Sequence, residues 1–138
     1  MTYIRNLLVV KIVLRTAALI EVGYFTVTHW FFHDYFFNSL GVYGSDSGST
    51  FVISQLQLIG ALVLGYASLT WIAASDPIKY RTVIQVILLT GTLCMVIFVY
   101  SVIAGKLPVQ FWFNATLIAL QLLLVAAFYP WKESAIGK

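Results

Sequence analysis

Residues Val83 to Ile103 read VIQVILLTGTLCMVIFVYSVI, without one charged side chain. A hydrocarbon core near 30 Å thick takes about 20 helical residues at 1.5 Å each, so this stretch alone is long enough to cross a bilayer. Three more apolar stretches of similar length surround it: Val109 to Tyr129 after it, Ile12 to Phe32 and Phe51 to Ala74 before it. In lipid every backbone N–H and C=O must be bonded within the span, which leaves the helix as the form each stretch takes. The fold expected is all-α and integral to the membrane, a single domain over residues 1–138 built as a four-transmembrane-helix bundle.

Composition agrees. Hydrophobic residues make up 61% of the chain and charged residues 9%, against about 25% charged in an average soluble domain. So few charges could not cover the surface of a soluble fold of this size. The eight basic residues are scattered and form no stripe, which excludes nucleic acid as a partner and leaves the lipid bilayer as the first one. Cys94 is the single cysteine, so the chain has no internal disulfide, CxxC pair or multi-cysteine zinc site. The N-terminal apolar region runs past signal-peptide length and reads as a retained span.

The basic residues also orient the bundle. Alternation of four spans puts Arg5, Lys11, Arg15, Lys79, Arg81, Lys132 and Lys138 on one side and leaves Lys106 alone on the other, with Asp34 and Asp46. By the positive-inside rule both termini are cytoplasmic, in a multi-pass protein of a bacterial cytoplasmic membrane or its equivalent. Between the second and third spans, Asp76 is expected to cap the third helix with Pro77 at its first position. Residues Gly41 to Thr50, rich in Gly and Ser, form the longest connector, and Ala104 to Pro108 a tight hairpin. Because lipid tails give no hydrophobic drive for helix association, close contacts should run through small residues: Gly60, Ala61, Gly65, Ala67 and Ser68 in the second span and Gly91 in the third.

Few side chains could carry chemistry. Glu21 lies six residues past Arg15, about 9 Å deeper along the helix, where an ionised carboxylate is costly. It is either a proton carrier or ligand contact, or a neutral acid hydrogen-bonded to a neighbouring helix; Gln85 and Gln121 fall at a similar depth. Gln57, Asn114 and Gln121 are further intramembrane polar groups suited to interhelical hydrogen bonds. His29 and His33, four apart, share a helix face and would suit axial ligation of a tetrapyrrole, chlorophyll or haem; no third histidine exists to complete a metal shell. Aromatic residues mark the span ends. Trp71, Tyr80, Tyr129 and Trp131 fall at the cytoplasmic end, and Trp30, Phe31, Phe32, Tyr35, Phe36 and Phe37 crowd the other, denser than anchoring requires. Trp30, Phe31, Tyr35 and Phe36 are therefore candidate contacts to a partner.

Leu40-Gly41, the run Gln57 to Gly65, Ala73-Ala74-Ser75-Asp76-Pro77 and Tyr80-Arg81 resemble the small four-helix membrane proteins grouped around DoxX and BphX. That class includes accessory membrane subunits of quinone-linked oxidoreductases, and the resemblance implies an accessory role without supplying a catalytic motif. With no Ser/His/Asp set, phosphate loop or HExxH in the chain, the expected function is that of a non-catalytic accessory subunit of a larger membrane complex, of the electron-transfer or photosynthetic kind. The rivals are a small-ligand, lipid-binding or transporter-like protein using Glu21, and a pigment- or haem-binding subunit using His29 or His33.

Overall fold

The computed structural model describes residues 2–32, 50–105 and 111–131, with side chains for 3–32, 53–105 and 112–131. Among these the protein is all-α. Helix α1 spans Thr2–Ile20 and continues through a π-helical segment, Glu21–Thr26, into the short α2, Val27–Phe31. Helix α3 spans Thr50–Ser75, α4 Arg81–Ile103 and α5 Phe111–Phe128. The bounds of α3 and α4 lie within two residues of the apolar runs, because length and hydropathy alone set them. The α5 helix has 18 residues, about 27 Å of rise. Among the described residues two stretches, Ile53–Ser75 and Arg81–Ile103, are long and apolar enough to cross a membrane. His33, Tyr35, Phe36, Phe37 and the Gly41 to Ser49 connector lie outside the described residues.

The chain divides into two compact units, Met1–Ala17 with Leu69–Lys138, and Ala18–Ser68. In the first, α4 and α5 pack along each other. A Cβ at Gly91 would stand 2.8 Å from the Leu122 side chain, and the Tyr129 hydroxyl donates to the Pro77 carbonyl at 3.0 Å. Gly91 and Leu122 are nearly equidistant from the α4–α5 connection, as an antiparallel hairpin demands. Gly105 ends the hairpin's first arm with φ +67, a left-handed conformation that glycine adopts without a Cβ penalty, and its N–H closes on the Val102 carbonyl at 3.1 Å. One face of α4 (Ile84, Ile87, Gly91) is buried, while Val86, Leu89, Leu93, Val96, Ile97, Tyr100 and Ile103 are 51–73% exposed along the opposite face.

The turn before α4 departs from the expected cap. Asp76 does accept a backbone N–H through its side chain, from Lys79 at 3.1 Å, and its carbonyl accepts the Tyr80 N–H at 3.1 Å. These bonds close a separate turn over residues 77–80. Tyr80 then leaves helical geometry (φ -97, ψ 32), and α4 begins at Arg81 with no side-chain cap. Pro77 is fully buried in this turn, so it serves packing there as well as chain direction.

In the second unit, α2 and α3 also run antiparallel: Thr26 meets Gly60 and, four residues on, Trp30 meets Gln57. Its buried side chains include Ala18, Thr26, His29, Leu56 and Ala67. Of the small residues in α3, Gly60 and Ala67 are buried. Ala61, Gly65 and Ser68 are exposed, and a Cβ added at Gly65 would meet nothing within 4 Å among the described residues. Among the described residues it is Gly60, and not Ala61 or Gly65, that marks the contact with α2.

Candidate functional site

Glu21 opens the π-helical segment. A π turn closes its hydrogen bonds from i to i+5 and so holds one residue more than an α turn. That extra residue sets the facing of everything after it. Thr26 lies eight residues past Ala18, and unbroken α-helix would carry it about 80° round the axis. The inserted residue takes back about 100°, which returns Thr26 to the side on which Ala18 is buried. Glu21, three residues past Ala18, sits about 60° off that direction, at the edge of the buried face. Its carboxyl is divided accordingly. Residue 21 is half-buried, yet Oε2 is closed from solvent and has no hydrogen-bond partner among the described residues. The neutral acid tied to a neighbouring glutamine, one of the two readings of the sequence, is not what Oε2 displays; Gln85 and Gln121 belong to the other unit.

Side chains around the turn bond back to its carbonyls. Thr26 Oγ1 donates within reach of the Glu21 carbonyl at 3.3 Å and the Gly60 carbonyl at 3.4 Å. Thr28 Oγ1 donates to the Tyr24 carbonyl, and to that of Phe25 at 3.0 Å. His29 Nδ1–H donates to the Phe25 carbonyl at 2.6 Å. Two hydroxyls and an imidazole thus bond carbonyls about one turn back, as Ser68, Thr92 and Thr116 do in the regular helices. The run Thr26-Val27-Thr28-His29 was the signal available in the sequence for this arrangement.

His29 is 5% exposed. The bond to Phe25 places a proton on Nδ1, so only Nε2 could serve as a ligand atom. The burial acts against ligation, since a macrocycle could reach the ring only by displacing the side chains packed over it. At the end of α2, the Trp30 indole N–H donates to the Gln57 carbonyl at 2.9 Å. The Phe31 ring stands edge-on to Trp30, with centroids 6.3 Å apart and planes at 77°, and is 69% exposed. Trp30, Phe31 and Gln57 line an open groove of about 310 Å³. His33, Tyr35 and Phe36 fall outside the described residues.

The family model described as BphX-like matches residues 45–136, two-thirds of the chain. The chain belongs to the BphX-like family. No curated protein and no solved structure matches it. The resemblance carried by Gln57 to Gly65, Ala73 to Pro77 and Tyr80-Arg81 is thereby borne out on the BphX side.

The BphX-like match begins after α2, so Glu21, His29, Trp30 and Phe31 lie outside it and Gln57, Gln85 and Gln121 within it. Gln85 is exposed and Gln121 half-buried; both belong to the first unit. That unit also holds aromatic and basic contacts of the BphX-like segment. Lys79 Nζ lies 5.2 Å from the Tyr80 ring centroid, and Tyr129 and Trp131 pack at 4.4 Å. From α1, the Arg15 guanidinium stands 5.7 Å from the Trp71 ring.

Proposed function

We propose that this BphX-like protein is a four-span integral membrane protein with both termini cytoplasmic, and that it acts as a non-catalytic accessory subunit of a larger membrane assembly. Insertion in lipid is supported by the bare outer face of α4. A row of Val, Leu, Ile and Tyr side chains more than half exposed along a whole helix would be an aggregation surface in water and is an ordinary surface in hydrocarbon. The basic and aromatic contacts of Arg15, Trp71, Lys79, Tyr80 and Trp131 suit a headgroup layer on the cytoplasmic side.

The accessory role rests on one observation: a large exposed aromatic ring presented on a fixed base. Phe31 projects beside Trp30, whose indole is tied to the α3 backbone and seated against Gly60. A ring already held in place loses little conformational freedom on binding, which is what makes aromatic anchors effective at protein contacts. Tyr35 and Phe36 extend the same aromatic run in sequence.

Mild purification from the native membrane, with identification of co-purifying chains and an absorption spectrum, tests this reading. Phe31→Ala with Tyr35→Ala is expected to deplete the partner at least tenfold, from a loss of about 2 kcal/mol, with insertion unchanged. An absorbance band in the complex would place the assembly in the electron-transfer or photosynthetic class. A colourless chain that co-purifies with the same proteins regardless of Phe31 and Tyr35 would refute the role.

A further inference from the structure

Lys11 and Arg15 stand four residues apart on α1, about 6 Å along the axis and 40° round it. Two cations so placed repel each other unless an anion lies between them. Neither forms a salt bridge among the described residues, whose only carboxyl side chains are Glu21 and Asp76. The Arg15 guanidinium is held instead 5.7 Å from the Trp71 ring centroid. A ring face attracts the charge but does not take up the fork of N–H donors, so the group still calls for an acceptor.

The pair lies on the outer face of its helix. Val10 and Ala17, both buried, are about 140° and 160° round from Arg15. Leu8 and Ile12, both exposed, lie within about 60° of it and bring no acceptor of their own. Depth is set by Trp71, four residues before the end of the apolar stretch Ile53–Ser75, which is about 6 Å. A headgroup layer is about 5–7 Å deep on each side of the hydrocarbon. In the four-span arrangement proposed above, the long Arg15 side chain therefore reaches that layer, and Lys11, about 6 Å nearer the cytoplasm, falls within it. The acceptor most abundant there is a lipid phosphate. A zwitterionic headgroup brings its own cation against the pair, whereas an anionic one brings none.

We propose that Lys11 and Arg15 form a binding site for the phosphate of an anionic phospholipid, with Trp71 fixing the guanidinium in place. The site rests on the membrane reading above and uses none of the residues assigned to partner contact.

Native mass spectrometry of the full chain in detergent, titrated with phosphatidylglycerol or phosphatidylcholine of the same acyl chains, reads the affinity for the first bound lipid. Each basic residue beside an anionic headgroup is worth about fivefold in affinity. Phosphatidylglycerol is thus expected to bind about 25-fold more tightly than phosphatidylcholine. Lys11→Gln with Arg15→Gln should abolish that preference, and Trp71→Leu should weaken phosphatidylglycerol about threefold. Lys79→Gln with Arg81→Gln removes the same charge from the turn before α4 and should change either affinity by less than about twofold. Inorganic phosphate in large excess should leave the lipid bound. Equal affinity for the two lipids, an equal loss in the Lys79 and Arg81 variant, or displacement by inorganic phosphate would overturn the site. Resistance to carbonate extraction scores insertion separately. A chain that extracts overturns the membrane reading and the site together, while one that stays inserted without the preference overturns the site alone.

Discussion

Replacing Gly60 with alanine tests the packing of α2 on α3 at its closest point. The new Cβ would stand 2.5 Å from both Cδ1 and Nε1 of Trp30 and 3.3 Å from the His29 Cβ. Ordinary carbon contacts begin near 3.5 Å, so the indole must withdraw by about 1 Å. A tryptophan ring has no flexible end with which to yield. Overpacking of this kind costs about 1–3 kcal/mol. The withdrawal also stretches the 2.9 Å bond from the indole N–H to the Gln57 carbonyl, worth about 1 kcal/mol. Alanine returns up to about 1 kcal/mol of helix propensity. The net destabilisation expected is about 2 kcal/mol, read as the shift in reversible unfolding by SDS in mixed micelles, followed by circular dichroism. Gly65→Ala is the internal comparison. With no neighbour in reach, it should be neutral or stabilising by up to about 1 kcal/mol. In a Trp30→Ala background the penalty at Gly60 should vanish, leaving a coupling of about 2 kcal/mol. Equal effects at the two glycines, or no coupling to Trp30, would refute the packing described.

Two further outcomes are expected. Tyr129→Phe leaves the buried Pro77 carbonyl without its hydroxyl donor and should lower stability by about 1–2 kcal/mol in the same unfolding assay, while Tyr80→Phe should change little. Cysteine reporters at Ser47 and Ser134, in a Cys94→Ser background, should react with an impermeant maleimide from opposite sides of the membrane; labelling of both from one side would end the four-span topology.

The positions of α3 and α4 were legible because each is set by one quantity, the length of an uncharged apolar run, and both begin and end within two residues of theirs. The first helix instead begins at Thr2, ten residues before the run expected from Ile12, because Arg5 and Lys11 continue a helix as readily as apolar residues do. Which side of each helix is buried was not legible, for a related reason. A helix that is apolar all round has no polar face to point away from its neighbours, so its periodicity carries no direction. Gly60 and Gly65 illustrate this: both are small, five apart, and only one meets a ring. The Asp76 turn was read correctly as a stop and wrongly as the cap of α4, since the bonds that close residues 77–80 also fit a helix start until Tyr80 leaves the helical region. At the candidate site, Glu21 stood out by cost alone. Its unpaired oxygen and the π turn did not, because both depend on where Thr26 and His29 settle against α3.

The π turn also has a meaning for how this gene can change. Loss of a single codon between Glu21 and Thr26 would leave the reading frame intact and convert the segment into ordinary α-helix, with no break in its hydrogen-bond ladder. Every residue upstream would nonetheless turn by about 100° relative to Thr26, His29 and Phe31. A deletion here is therefore mild for the continuity of the rod and severe for its facing, an effect no point substitution in the segment reproduces. Length variation at this one place, rather than change of residue type, is where a relative of this protein would acquire a different carboxyl position while keeping the same helices.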